Sequence, residues 1–260
     1  MLSLFRNMRK IILSDRKVRN YVWYALGEVL LLVIGILIAL QINNWNENRL
    51  DRKQEYQYLV RLREDLQFEI GLMTDAIRHA ENRIAAVRLL EQAAANPEIA
   101  IERPNVMAIA LETVTWRSFP KISAFVYTEL QATGHLSLIR SEALLRDIAA
   151  YYSSIQKESD IGVDLEIQNL FTRGTAGILL TAELIAIQEH EFGRREGVVG
   201  IVPDRALEIA HELAAKQNTV DLLPSIAQHH TFNRVVIEAS RDKALELIVT
   251  IDSLIKELGS

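Results

Sequence analysis

Gly27 to Glu47 reads GEVLLLVIGILIALQINNWNE, and the reading of this stretch decides the fold. From Val22 to Ile42 the chain runs for 21 residues whose only strongly polar members are Glu28 and Gln41. At about 1.5 Å per residue, a helix of that length covers roughly 30 Å, the thickness of a bilayer's hydrocarbon core. A transmembrane helix is therefore expected over residues 21–43. Tyr21, Trp23 and Tyr24 at one end and Trp45 at the other fall where amphipathic rings favour the lipid–water boundary and would serve as interface anchors.

A cleaved signal peptide would have a shorter apolar region followed by small residues at a cleavage site, and IALQINNW (Ile38–Trp45) offers none. Six basic residues precede the span, from Arg6 to Arg19, whereas the 18 residues after it hold only Arg49, Arg52 and Lys53. This asymmetry predicts a cytoplasmic N-terminal segment, residues 1–20, and an extracytoplasmic remainder. The first dozen residues, MLSLFRNMRKII, set an apolar arc beside a basic one. They read equally as an interfacial helix or as a basic flank that only fixes topology.

The net charge of −5 is unevenly spread. Through Ile42 there are six basic residues and two acidic ones, which leaves 23 basic against 32 acidic in the rest. An acidic body repels phosphate backbones, so nucleic acid is not an expected partner. With 260 residues and 49% hydrophobic composition, the chain can bury a sizeable core.

That core is expected to be all-α. Leu59, Leu62, Leu66, Ile70, Met73, Ile77, Ala80, Ile84, Val87 and Leu90 recur at steps of three and four, a stripe suited to coiled-coil or long-bundle packing. The span should continue into this stalk helix, 44–95, until NPEIAIERP (Asn96–Pro104) stops it. The helical-bundle body, 96–260, should pack with the stalk. Helices are expected over Val106–Trp116 and Ser123–Thr133. Ser141 should cap the next one, and a longer helix should run from about Asp160 to Phe192. On that longer helix Gly174 and Gly177 read as close-packing positions, and Ala176–Ile187 as a buried core segment. Gly193–Pro203 should be a loop, Asp204 should cap Arg205–Lys216, and Ser225 should begin a terminal helix reaching Leu258.

Catalytic chemistry is not legible. There is no cysteine, the six histidines form no H-E-x-x-H pair, and neither G-x-S-x-G nor a phosphate-binding glycine loop occurs. No catalytic residue, cofactor or metal site is expected. Glu28 stands apart, since a carboxylate in the apolar layer costs a few kcal/mol and such residues usually face a partner or pathway. It shares a face with Leu32, Gly35, Ala39 and Ile42, and Gly35 and Ala39 form a small-xxx-small pair that lets membrane helices approach. The face can pack against another helix, with Glu28 as a contact or protonation site. Glu28 can also be passive, staying protonated or reaching the headgroups.

YALGE at Tyr24–Glu28 and VIGILIALQINNWNE at Val33–Glu47, after a basic N-terminus, resemble a family of bacterial single-pass membrane proteins, domain of unknown function 6090. The resemblance continues more weakly through DRKQEYQYLVRLREDL (Asp51–Leu66) and YTELQATGHLSLIRSEALLRDIAAYY (Tyr127–Tyr152). It implies a membrane anchor without an assigned activity. The expected function is thus a non-enzymatic component of a bacterial inner-membrane complex, with the bilayer and a second copy or another membrane protein as partners. An extracytoplasmic ligand-binding sensor is the alternative, with no ligand indicated, and an enzyme of unrecognised type is a third reading.

Overall fold

Helix α1 (Arg16–Ala95) is continuous for 80 residues. It ends where Pro97, which lacks a backbone donor and restricts the residue before it, makes further helix costly. The computed structural model describes residues 16–160, 165–193 and 199–259, so the first dozen residues and their amphipathic reading lie outside the described residues, whereas the end of the basic arm, Arg16–Asn20, is helical as the start of α1. The chain divides into two compact units, Met1–Gln57 and Tyr58–Ser260. The expected stalk, 44–95, straddles that division, and its residues from 58 onward help build the body.

In the first unit, the described part is the N-terminal portion of α1. Among the described residues, α1 is the one helix long and apolar enough to cross a membrane, and none of its most apolar window, of mean hydropathy 2.5, is buried.

The second unit is all-α among its described residues. After α1 come α2 (Ile99–Glu102), α3 (Pro104–Thr113), α4 (Phe125–Thr133), a 3₁₀ turn (His135–Leu138), α5 (Glu142–Asp160), α6 (Leu165–Thr175), α7 (Thr181–Glu191), α8 (Pro203–Ala214), α9 (Gln217–Val220) and α10 (Leu223–Gly259). Two apolar cores lie along the long helices. In one, Leu59, Leu62, Leu66 and Met73 of α1 meet Leu130 of α4, Leu144 and Ile148 of α5, and Ile237, Leu247 and Ile251 of α10. In the other, Val87 and Leu90 join α3, α6, α7, α8 and the first turns of α10. The predicted stripe is therefore buried within its own chain, apart from the half-buried Ile70 and Ile84.

Two ion pairs report the register of α1 and α10. Arg63 meets Asp252 at 3.3 Å, and Glu81 meets Arg234 at 3.8 Å. Eighteen residues forward along α1 correspond to eighteen backward along α10, so the helices run antiparallel in matched register. The pairs are partly exposed and contribute little energy themselves; the buried leucine and isoleucine contacts hold the alignment.

Local chemistry corrects several boundaries. Ser141 caps α5 as expected, with the Leu144 N–H donating to its Oγ at 3.3 Å. The helix expected from Asp160 to Phe192 is instead two helices, α6 and α7, because the intervening Gly177 adopts φ +85°, a left-handed conformation that turns the chain. Gly177 is thus a turn residue, and the segment Ala176–Ile187 is helical only from Thr181 and is not buried throughout: Ile178, Leu179, Ala186 and Ile187 are buried, whereas Leu180 and Ile185 are exposed. Asp204 does not cap α8. Pro203 opens that helix with its fixed φ, and no side chain caps it. The terminal helix begins at Leu223, two residues before Ser225.

Gly174 does serve close packing, since a Cβ there would lie 2.1 Å from Thr219 Oγ1 and 3.0 Å from Thr219 Cβ. Rotating the threonine cannot relieve both contacts. Gly174→Ala should therefore lower stability by about 1–3 kcal/mol despite alanine's better helix propensity. Thr219→Ala should recover part of the loss in a double-mutant cycle followed by thermal unfolding. Additive effects would show that the two residues do not touch.

Candidate functional site

The sequence-predicted face lies on the unburied part of α1. Glu28, Leu32, Gly35, Ala39 and Ile42 are all exposed within the chain and fall within an arc of about 80° at 100° per helical residue. A Cβ added at Gly35 would meet nothing within 4 Å, so among the described residues nothing packs against this face there. Tyr21, Trp23, Tyr24 and Trp45 are exposed as well. After the apolar stretch the helix surface becomes polar: Asn43 Nδ2 donates to Glu47 Oε1 at 2.9 Å, and the Arg49 guanidinium lies 5.7 Å from the Trp45 ring. This is the pattern of an aromatic ring at a boundary between apolar and wet surroundings.

In the body, a buried acid that sequence reasoning missed sits between α1, α4 and α5. Glu69 is only 3% exposed. The Tyr151 hydroxyl donates to its Oε2 at 2.9 Å, and the Tyr152 hydroxyl to its Oε1 at 3.2 Å. Tyr152 also stacks on Tyr127, with centroids 4.8 Å apart. One turn earlier, Asp65 Oδ2 accepts the Val126 N–H at 2.8 Å, in the first turn of α4. That contact satisfies a donor left open by the helix start. Ala124, just before α4, is the one non-glycine residue among those described with positive φ, at +47°. Strain of this kind persists only where the surroundings enforce it, and two carboxylates of α1 lie at that turn.

A signal for Glu69 was present. Steps of three and four from Leu66 to Met73 pass equally through residue 69 or 70, and the apolar reading selected Ile70. The structure buries Glu69 and leaves Ile70 half-buried. Burial outweighs the tyrosine hydrogen bonds and pushes the Glu69 carboxyl up to about 7. Both phenols are raised well above their ordinary value by burial, with the adjacent carboxylate adding to the shift, so they remain donors.

Two histidines make contacts between elements of the body, whereas His79 and His211 are exposed. His230 is fully buried, its Nε2 2.7 Å from the Val114 carbonyl oxygen, and burial lowers its pKa to about 4. His135 Nδ1 lies 2.7 Å from the Tyr58 hydroxyl. Among the described residues no three His, Asp or Glu side chains converge as metal ligands.

An all-α chain with one apolar helix of membrane-spanning length is the class these features define. Residues 28–154, just under half of the chain, match the model of DUF6090, a family of unknown function. The match starts at Glu28 and includes Glu69, Tyr151 and Tyr152; residues 155–260 lie beyond it. No curated protein and no solved structure matches the chain.

The buried acid and the buried histidine predict opposed pH dependences. Folded Glu69 holds its proton up to about pH 7, whereas the unfolded group releases it near 4.5. Stability from Glu69 thus declines as pH rises from 4.5 to 7, by up to about 3 kcal/mol at 1.36 kcal/mol per unit. Folded His230 stays neutral down to about 4 while the unfolded group protonates near 6.5, so its contribution declines as pH falls through that window. Glu69→Gln removes only the first slope. Relative to the parent it should gain stability above pH 7 and lose the gain towards pH 4.5 in denaturant titrations. Parallel stability curves for the two proteins would contradict the assignment.

Proposed function

We propose that the protein is a non-enzymatic, membrane-anchored component of a bacterial inner-membrane complex, with residues 1–20 in the cytoplasm and the helical body on the other side. The face of Glu28, Leu32, Gly35, Ala39 and Ile42 packs against a second copy or another membrane protein, and Glu28 is a contact or protonation site on it. The observation that carries this reading is the unburied apolar stretch of α1, bounded by aromatic residues and bearing a single acid on its small-residue face. Lipid accounts for most of that surface, and a second helix accounts for the acid and the small residues.

The absence of cysteine makes topology directly testable. Lys256→Cys, at an exposed position near the end of α10, should react with a membrane-impermeant maleimide in intact spheroplasts. Labelling only after lysis would reverse the proposed orientation. Gly35→Ile should reduce crosslinking in native membranes at least several-fold, because a branched side chain holds the backbones apart. Glu28→Gln should break a charged pair with another protein but spare a proton-sharing pair of Glu28 residues. If Gly35→Ile and Glu28→Leu both left the crosslinked species and the co-purified proteins unchanged, the docking face would be wrong.

A further inference from the structure

The body also holds a cavity of about 490 Å³ between the last third of α1 and α3. That volume lies within the range of clefts that bury small molecules. Its walls are largely aliphatic, including Ala86, Leu89, Ile109 and Ala110, but three arginines line it as well, Arg83, Arg88 and Arg103. Among the described residues the lining has one carboxylate, Glu191.

Arg83 is the decisive residue. It is only 7% exposed, yet its closest carboxylate contact, from Nη2 to Glu191 Oε2, is a long 3.9 Å. Nη1 donates to the Thr113 hydroxyl at 3.1 Å, and Nε is buried without a hydrogen-bond partner. The Trp116 ring lies 5.7 Å from the guanidinium carbon. A buried cation with so little anionic compensation is costly and is normally paired. Arg88 and Arg103, both exposed, have no carboxylate partner among the described residues. The cavity therefore combines an apolar wall with an excess of guanidinium charge.

We propose that this cavity binds an amphipathic organic anion, with its apolar body against Leu89 and Ile109 and its carboxylate or phosphate at the arginines. A guanidinium presents parallel donors that match such oxygens, and the low-dielectric wall strengthens the pairing. Neither inorganic phosphate, which leaves the wall empty, nor a neutral apolar molecule, which leaves the cations uncompensated, satisfies both halves of the site. The inference does not depend on what α1 meets in the membrane.

The test is isothermal titration of the full chain in zwitterionic nanodiscs, with empty nanodiscs subtracted, using 2-naphthoate, 2-naphthamide, dodecyl phosphate and inorganic phosphate as probes. Naphthoate should bind at least tenfold more tightly than naphthamide, and inorganic phosphate should bind no better than the amide. Tighter binding of dodecyl phosphate than of naphthoate would assign a lipid-derived anion and the reverse order a free organic acid; both support the proposal. Arg88→Gln with Arg103→Gln should weaken naphthoate binding at least tenfold without changing the melting temperature of the unliganded protein, since both side chains are exposed. Val106→Trp, at a half-exposed lining position, should fill the space and abolish binding. Equal affinity for naphthoate and naphthamide, no binding of any organic anion at millimolar concentration, or unchanged affinity in folded variants would overturn the proposal.

Discussion

An apolar helix surface must be covered, and along α1 two different kinds of cover are needed. From residue 58 onward, Leu59, Leu62, Leu66, Met73, Val87 and Leu90 are buried by other helices of the chain. Each such side chain contributes on the order of 1.5–3 kcal/mol relative to exposure. From Val22 to Ile42 the helix is apolar on most of its circumference, interrupted by Glu28 and Gln41, and none of its most apolar window is buried by the described residues. Amphipathic helices fold against a core, while uniformly apolar ones need a core on every side or a bilayer. This one contrast divides the helix into an unburied apolar segment of membrane-spanning length and a structural member of the body.

Within the body, the polar groups that are buried are unevenly compensated, and the differences are informative. Glu69 receives two tyrosine hydroxyls, and neighbouring Asp65 receives a helix-start amide, so this cluster joins α1, α4 and α5 into one polar joint. Arg205 is similarly well matched, with Nε on Glu183 at 2.8 Å and Nη2 on the Ile178 carbonyl at 2.6 Å, fastening α7 to α8. Arg83 is not matched in this way. The first two arrangements explain how helices are held in place; the third leaves a charge open beside a cavity.

The architecture was readable wherever one pattern had no competitor. The apolar run at Val22–Ile42 lies in a helix of membrane-spanning length, and the three-four spacing from Leu59 to Leu90 follows a buried stripe except at the choice between residues 69 and 70 and at the half-buried Ile84. Reading failed where backbone conformation or long-range pairing decided the outcome. Nothing local in RGTAGILLTAE distinguishes a helix with two packing glycines from a turn at Gly177, because only the fold sets that φ to +85°. Glu69 was hidden by Ile70, since a residue alphabet sorted into apolar and polar cannot foresee that two tyrosines more than eighty positions away will satisfy a buried acid. The cavity was likewise invisible, because Arg83 comes from α1, Arg103 from the bend between α2 and α3, and Glu191 from α7.

Amide hydrogen exchange of the full chain reconstituted in liposomes addresses the central division of α1 most directly. Exchange requires water, so amides of residues 22–42 should stay protonated for hours to days in deuterated buffer. Those of residues 44–57, helical but wet, should exchange far sooner. Equal exchange across the two segments would place both in water and contradict the account.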